Sequence, residues 1–173
     1  MVQYLPLTFL LKRACLINSD NKMNKLEKKP ITILMADDDE DDRLLTQEAL
    51  LESKVLNNLY CVEDGVELIS YLKREGKYAD VEKHPWPSLI LLDLNMPRKD
   101  GREALKELKA DPELKSIPVV ILTTSKQEED MVKGYDLGAA SFITKPVNFE
   151  GLVDLMKALG KYWIEFVELP HNG

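Results

Sequence analysis

The sequence predicts an α/β protein, a five-stranded parallel doubly wound sheet in (βα)5 order. Three observations predict it. Apolar runs of strand length recur between residues 31 and 144, separated by stretches with apolar residues at helical spacing. Several of those runs lack polar alternation, as strands buried on both faces do. Acids, hydroxyls and a lysine stand just after the runs, where such a sheet keeps its ligand site.

ITILMA (31–36) is the first strand. Acids lead from it into RLLTQEALLES (43–53), a helix with Leu44, Leu45, Ala49 and Leu50 at helical spacing. VLNNLYCV (55–62) is the second strand. Asp64 caps GVELISYLKRE (65–75), where Val66, Ile69 and Leu72 line one helical face. GKYADVEKHPWPS (76–88) is polar and carries prolines, hence a long loop. SLILLDL (88–94) is the third strand, and Asp100-Gly101 opens the helix REALKELKA, which stops near Asp111-Pro112. IPVVILT (117–123) is the fourth strand, followed by a helix over KQEEDMVKGYDLG (126–138). AASFIT (139–144) is a short fifth strand, and NFEGLVDLMKALGKYWIEFVEL (148–169) a last helix with a late Gly160.

The bulk properties narrow the function. Of 173 residues, 45% are hydrophobic and 31% charged, the balance of a globular domain with a core. A net charge of −7 argues against nucleic-acid binding, which needs a basic face. No apolar run reaches the roughly 18 residues that span a bilayer. Cys15 and Cys61 form no CxxC and fit a reducing, cytoplasmic compartment. The expected organisation is an N-terminal extension over 1–29, one domain over 30–169 and a tail over 170–173. NSDNKMNKLEKK (18–29) reads as linker, and Met23 is an alternative natural start.

ADDDEDD (36–42) sets six carboxylates at the end of a buried strand. Like charges so close repel, and a carboxylate at a core rim loses solvation. Asp39 has the position of a helix N-cap, and Glu40, Asp41 and Asp42 are first-turn acids favoured by the helix dipole. Asp37 and Asp38 lie closer to the strand end, where they favour a cation. The topology gathers them with Asp93 after the third strand, Thr123 and Thr124 after the fourth, and Lys145-Pro146 after the fifth. Two or three carboxylates at one rim make a hard oxygen site suited to Mg²⁺. A carboxylate can also take a phosphoryl group as an acyl phosphate, its oxygens neutralised by metal and ammonium and hydrogen-bonded by a threonine. Singly, Asp93 reads as a cap, Thr123 as a turn hydroxyl and Lys145 as a solvated cation. Their joint placement carries the inference. Pro146 is a candidate cis proline.

ILMADDDEDDR, LILLDLNMPRKDG, VVILTTS and SFITKP, in this order over roughly residues 30–166, resemble the receiver domain of two-component response regulators. TTSKQEED, Tyr-Asp-Leu before the fifth strand, FITKP and the aromatic carboxyl end are similar to single-domain regulators paired with bacterial phytochromes. The resemblance implies a flavodoxin-like receiver fold with Asp93 as phosphoacceptor. It implies that Asp38 is the direct Mg²⁺ ligand, Asp37 the second acid acting through water, and the Asn95 backbone carbonyl the completion of the metal site. Thr123 matches the switch hydroxyl, Lys145 the lysine that pairs with phosphoryl oxygens, and Phe142 the aromatic switch position, here without a tyrosine hydroxyl. Phe142 also reads as a plain core aromatic.

The implied cycle begins with a partner sensor histidine kinase, of bacterial phytochrome type, presenting a phosphohistidine to Asp93. The added charge draws Thr123, lets Phe142 turn inward and reshapes the face of the fourth helix, fifth strand and fifth helix. The two histidines, His84 in a loop and His171 in the tail, suit no phosphodonor helix, so the donor is another protein. About 27 residues follow Pro146, which leads us to expect output by protein binding or by relay to a histidine phosphotransfer protein. YWIEFVEL (162–169) packs on the core or supports a homodimer. Two rivals stand beside this expectation. One is a Mg²⁺-dependent aspartate-nucleophile phosphohydrolase, disfavoured by DLN at 93–95 and by size. The other is a phosphorylation-independent adaptor, disfavoured by the complete residue set.

Overall fold

Strands without polar alternation need cover on both faces, and the chain provides it. A computed structural model describes residues 30–55, 57–124 and 137–165. Strands β1 (Ile31–Ala36), β2 (Asn57–Val62), β3 (Leu89–Asp93), β4 (Val119–Thr123) and β5 (Ser141–Thr144) form one sheet in the order β2-β1-β3-β4-β5. Every neighbouring pair is parallel. Side chains alternate between two cores. Leu34, Ala36, Ile90, Leu92, Val119 and Ile121 join α2 (Gly65–Leu72) and α3 (Gly101–Ala110) on one face. Ile33, Met35, Leu89, Leu91, Val120 and Leu122 join α1 (Glu40–Glu52) and α4 (Phe149–Glu165) on the other. Each fully buried aliphatic side chain contributes roughly 1.5–3 kcal/mol relative to exposure. The helix predicted over 126–138 lies largely outside the described residues, as do the 1–29 extension, Cys15 and His171.

Aspartates start three of the helices. Asp39 accepts the Asp41 and Asp42 N–H groups, and Asp64 accepts those of Val66 and Glu67. Asp100 accepts the N–H of Glu103, whose carboxylate accepts the Asp100 N–H in return, a capping box. Each such cap is worth about 1 kcal/mol. Among the described residues no helix is long and apolar enough to cross a membrane.

The structure corrects several expected faces. Leu44 and Leu45 are 54% and 41% exposed, because α1 turns Thr46 inward beside Ala49 and Leu50, the two expected residues that are buried. Val66 is 40% exposed, and α2 buries Leu68, Ile69, Tyr71 and Leu72. Strand β2 begins at Asn57, two residues later than expected. The loop over 76–88 is more ordered than its composition suggests. It contains a 3-10 turn at Gly76–Tyr78, and the Tyr71, Tyr78 and His84 rings pack edge to face or tilted at 5.0–5.6 Å. The Tyr71 hydroxyl donates to the Pro85 carbonyl at 2.9 Å. The described residues contain no cis peptide bond, so Pro146 is trans.

Two glycines answer to close approach. A Cβ on Gly160 would stand 2.4 Å from Val55 Cγ1, which explains a glycine late in a helix. A Cβ on Gly101 would stand 2.1 Å from the Asp93 carbonyl oxygen, and the Gly101 N–H donates to the Leu94 carbonyl at 3.0 Å. Helix α3 thus begins flush against the carboxyl end of β3. Gly101→Ala should cost about 2–4 kcal/mol of stability by forcing these elements apart, measured by urea denaturation.

Candidate metal centre

In a parallel sheet all the carboxyl ends of the strands lie at one edge, and the residues after them share it. Asp37 follows β1, and its N–H donates to the Val62 carbonyl at 3.1 Å. Asp93 ends β3 and pairs in register with Leu122; Thr123 ends β4 and pairs with Thr144. Lys145 follows β5, its N–H donating to the Thr123 carbonyl at 2.7 Å. Four segments distant in sequence therefore present their side chains at one place.

Carboxylate oxygens of Asp37, Asp38 and Asp93 lie within 4.8 Å of one another. Asp37 and Asp93 are buried and Asp38 is exposed, so the group opens to solvent on one side. An ion with metal–oxygen distances of about 2.1 Å in an octahedron sets its ligand oxygens roughly 3–4.2 Å apart. The all-oxygen chemistry and the gathering of three carboxylates within 4.8 Å suit a divalent metal site. Asn95, in the β3–α3 connection, is exposed, and its backbone N–H donates to the Asp93 carboxylate.

Lysine holds this cluster together. Its Nζ donates to Asp37 Oδ2 and to Asp42 Oδ2, each at 2.8 Å, and stands 3.8 Å from Asp93 Oδ2. Asp37 Oδ1 accepts the Asp39 N–H at 3.1 Å, and the Arg43 guanidinium donates to the Asp37 carbonyl at 2.6 Å. Burial raises the Asp37 carboxyl above its ordinary value against the pull of Lys145. Burial likewise pushes Asp93 up from 3.8 to about 6, with the Asp37 charge adding and the Lys145 charge and two backbone N–H groups opposing. For Lys145, burial works against the ammonium, but hydrogen bonds to Asp37 and Asp42 outweigh it and raise its pKa. A buried carboxylate beside an ammonium and a cation site is suited to attack an electrophile and receive its negative charge.

Of the residues singled out in the sequence, Asp37, Asp38, Asp93 and Lys145 converge directly, and Thr123, wholly buried, ends the strand beside Asp93. Phe142 lies on β5, half-buried against the core shared with α2 and α3. Asp39 is the expected N-cap. Two participants went unrecognised. Asp42 was expected to be only a first-turn acid, yet it bonds Lys145 across 103 positions of sequence. Arg43, a helix residue by pattern, anchors the Asp37 backbone. The sequence held no local signal for either contact. A groove of about 210 Å³ adjoins Lys145, lined among others by Asp42, Leu45, Thr124, Val147 and Phe149. Val147 is fully exposed and Phe149 38% exposed at its rim.

Residues 33–157 match the response regulator receiver domain. The chain is 40% identical to response regulator Rcp1 of Synechocystis sp. (strain ATCC 27184 / PCC 6803 / Kazusa) over 148 residues, 86% of this chain and 99% of that protein. It resembles the crystal structure of the phosphorylated cyanobacterial phytochrome response regulator RcpA, with TM-score 0.73 and 44% identity, over 82% of this chain and 99% of that one. The Mn(2+)-bound form of Rcp1 superimposes with TM-score 0.70 and 42% identity, over 82% of this chain and 100% of that one. The strand order, the acidic centre and these likenesses agree: the chain belongs to the response regulator receiver domain family, whose members are phosphoacceptor signalling proteins.

Proposed function

We propose that Asp93 is the phosphoacceptor and that the protein takes its phosphoryl group from a phytochrome-type sensor histidine kinase. The observation that carries the assignment is the position of Asp93. It is one of two buried members of the carboxylate trio; unlike Asp37, which the Lys145 ammonium hydrogen-bonds at 2.8 Å, it stands 3.8 Å from that ammonium without a hydrogen bond, as the last residue of a central strand. Asp93 Oδ attacks phosphorus as the bond to the donor nitrogen breaks, and the nitrogen leaves with the bonding pair. Asp37, Asp38 and Asp93, with the Asn95 carbonyl, would hold Mg²⁺, which when bound supplies neutralising charge to the phosphoryl oxygens. Thr123 hydrogen-bonds one oxygen and Lys145 pairs with another. Phe142, half-buried on the strand beside Thr123, turns inward as Thr123 shifts, and the face around β5 and α4 changes shape. A phosphoryl group brings about −1.5 to −2 of charge, enough to drive such a rearrangement.

Similarity to the cyanobacterial phytochrome response regulator RcpA and to a bacteriophytochrome response regulator supports this partner. The exposed Leu45, Val147 and Phe149 beside the site give a partner apolar surface to rest on. Relay to a histidine phosphotransfer protein uses the same chemistry in reverse. Trp163 is buried and Tyr162 packs on the same core, so this part of the aromatic end serves packing. A homodimer through the face of β5 and α4 would show as a mass change in light scattering on phosphorylation. The domain spans 30–169, with 1–29 preceding it.

Phosphorylation with phosphoramidate and Mg²⁺ should add one phosphoryl group to the wild type and none to Asp93→Asn, read by intact mass; equal labelling of both would end the assignment. The same variant should differ in stability without divalent ions. The folded state raises the Asp93 pKa from 3.8 to about 6, so it holds the proton more tightly than the unfolded chain. Ionisation therefore destabilises the fold progressively as pH rises through that window. Asp93→Asn should be more stable than wild type by about 1–3 kcal/mol above pH 7, with the gain fading below about pH 4. Mg²⁺ should raise the wild-type melting temperature and narrow the gap.

A further inference from the structure

Lys145 has three N–H donors and, among the described residues, three acidic partners. Asp37 and Asp42 each accept at hydrogen-bond distance, 2.8 Å, whereas Asp93 stands at 3.8 Å, an ion pair without a hydrogen bond. The ammonium therefore leans away from the carboxylate it would serve after phosphoryl transfer. Its two anchors differ in kind. Asp37 is 1% exposed, belongs to the carboxylate trio and also accepts the Asp39 N–H. Asp42 lies outside the trio, and its side chain is 38% exposed. Its own N–H is held by the Asp39 cap, so the first turn of α1 fixes where its carboxylate stands.

We propose that Asp42 is a positioning residue that holds the Lys145 ammonium off Asp93 in the unphosphorylated protein, and that phosphoryl transfer breaks this bond. The inference rests on Asp93 being the phosphoacceptor. The asymmetry of burial decides which bond breaks. Asp37, shut away from water, cannot replace a lost ammonium hydrogen bond with one from solvent, and burial makes that loss costly. Asp42 can turn to solvent, and a half-exposed pair contributes little to begin with. When Asp93 Oδ forms its bond to phosphorus and the donor nitrogen departs with the bonding pair, the charge at Asp93 grows to about −1.5 to −2. The ammonium then moves to the denser charge, and Asp42 gives it up to water. Until that moment Asp42 competes with the incoming phosphoryl oxygens, and so slows transfer.

The test uses the full chain with phosphoramidate and Mg²⁺, following the phosphorylated fraction by intact mass at several donor concentrations. Asp42→Asn should raise the rate at saturating donor about three- to tenfold, with the half-saturating donor concentration little changed. Asp41→Asn removes one charge from the same helical turn and controls for helix dipole and long-range repulsion; it should match wild type. In a Lys145→Ala background, Asp42→Asn should add nothing. An Asp42→Asn rate equal to or below wild type would overturn the proposal. So would the same acceleration from Asp41→Asn, or acceleration that survives loss of Lys145. Failure of wild-type Asp93 to label at all would instead remove the assignment beneath it, and the two failures are told apart by the wild-type trace alone.

Discussion

Three carboxylates share the rim of a hydrophobic core, and an ammonium sits among them. Nearly everything else about the molecule serves to make that arrangement tolerable. Asp37 and Asp93 are buried at the ends of adjacent strands, where ionised groups lose water and repel one another. Lys145 offsets part of this through its bonds to Asp37 and Asp42. The offset is incomplete, as the raised pKa of Asp93 indicates. A site left in this condition has affinity for further positive charge, and it responds strongly to further negative charge. The first property suits a divalent ion and the second suits a phosphoryl switch.

The scaffold must be stiff for such a centre to persist. Among the described residues, helices cover both faces of the sheet, and the strand side chains divide between two cores. Aspartate caps fix the start of three helices, and two of those starts border the site. Gly101 lets the start of α3 lie against the backbone of Asp93 itself. Arg43 and the Asp39 N–H hold Asp37 at backbone and side chain together.

The same run of six acids contains four kinds of residue, and only position separates them. Asp37 and Asp38 face the cation site, Asp39 caps a helix, and Asp42 reaches the lysine of the last strand. Chemistry alone would not distinguish them. A helix start turns successive side chains by about 100°, so neighbours in sequence look in different directions. That rotation places one acid over Lys145 and leaves Glu40 and Asp41 in solvent.

Much of the fold was legible in the chain. Uninterrupted apolar strands announced a sheet buried on both faces, and the aspartates before α2 and α3 marked where helices begin. The acids, threonine and lysine after successive strands announced the site, because strand ends in a parallel sheet meet at one edge. What stayed hidden depended on angles and distances between elements. The apolar faces of α1 and α2 were misjudged at Leu44, Leu45 and Val66, since the rotation of a helix is set by what it packs against. The ring packing that orders the loop over 76–88 could not be read from its polar composition. The Asp42–Lys145 bond joins residues that no local pattern relates. By itself the sequence determined which groups would be present at the carboxyl edge, since residue type and strand order are written in it. Only the tertiary structure decided which acid holds the lysine and how far it stands from Asp93, because those distances are set by the packing of α1 and β5 against the same core.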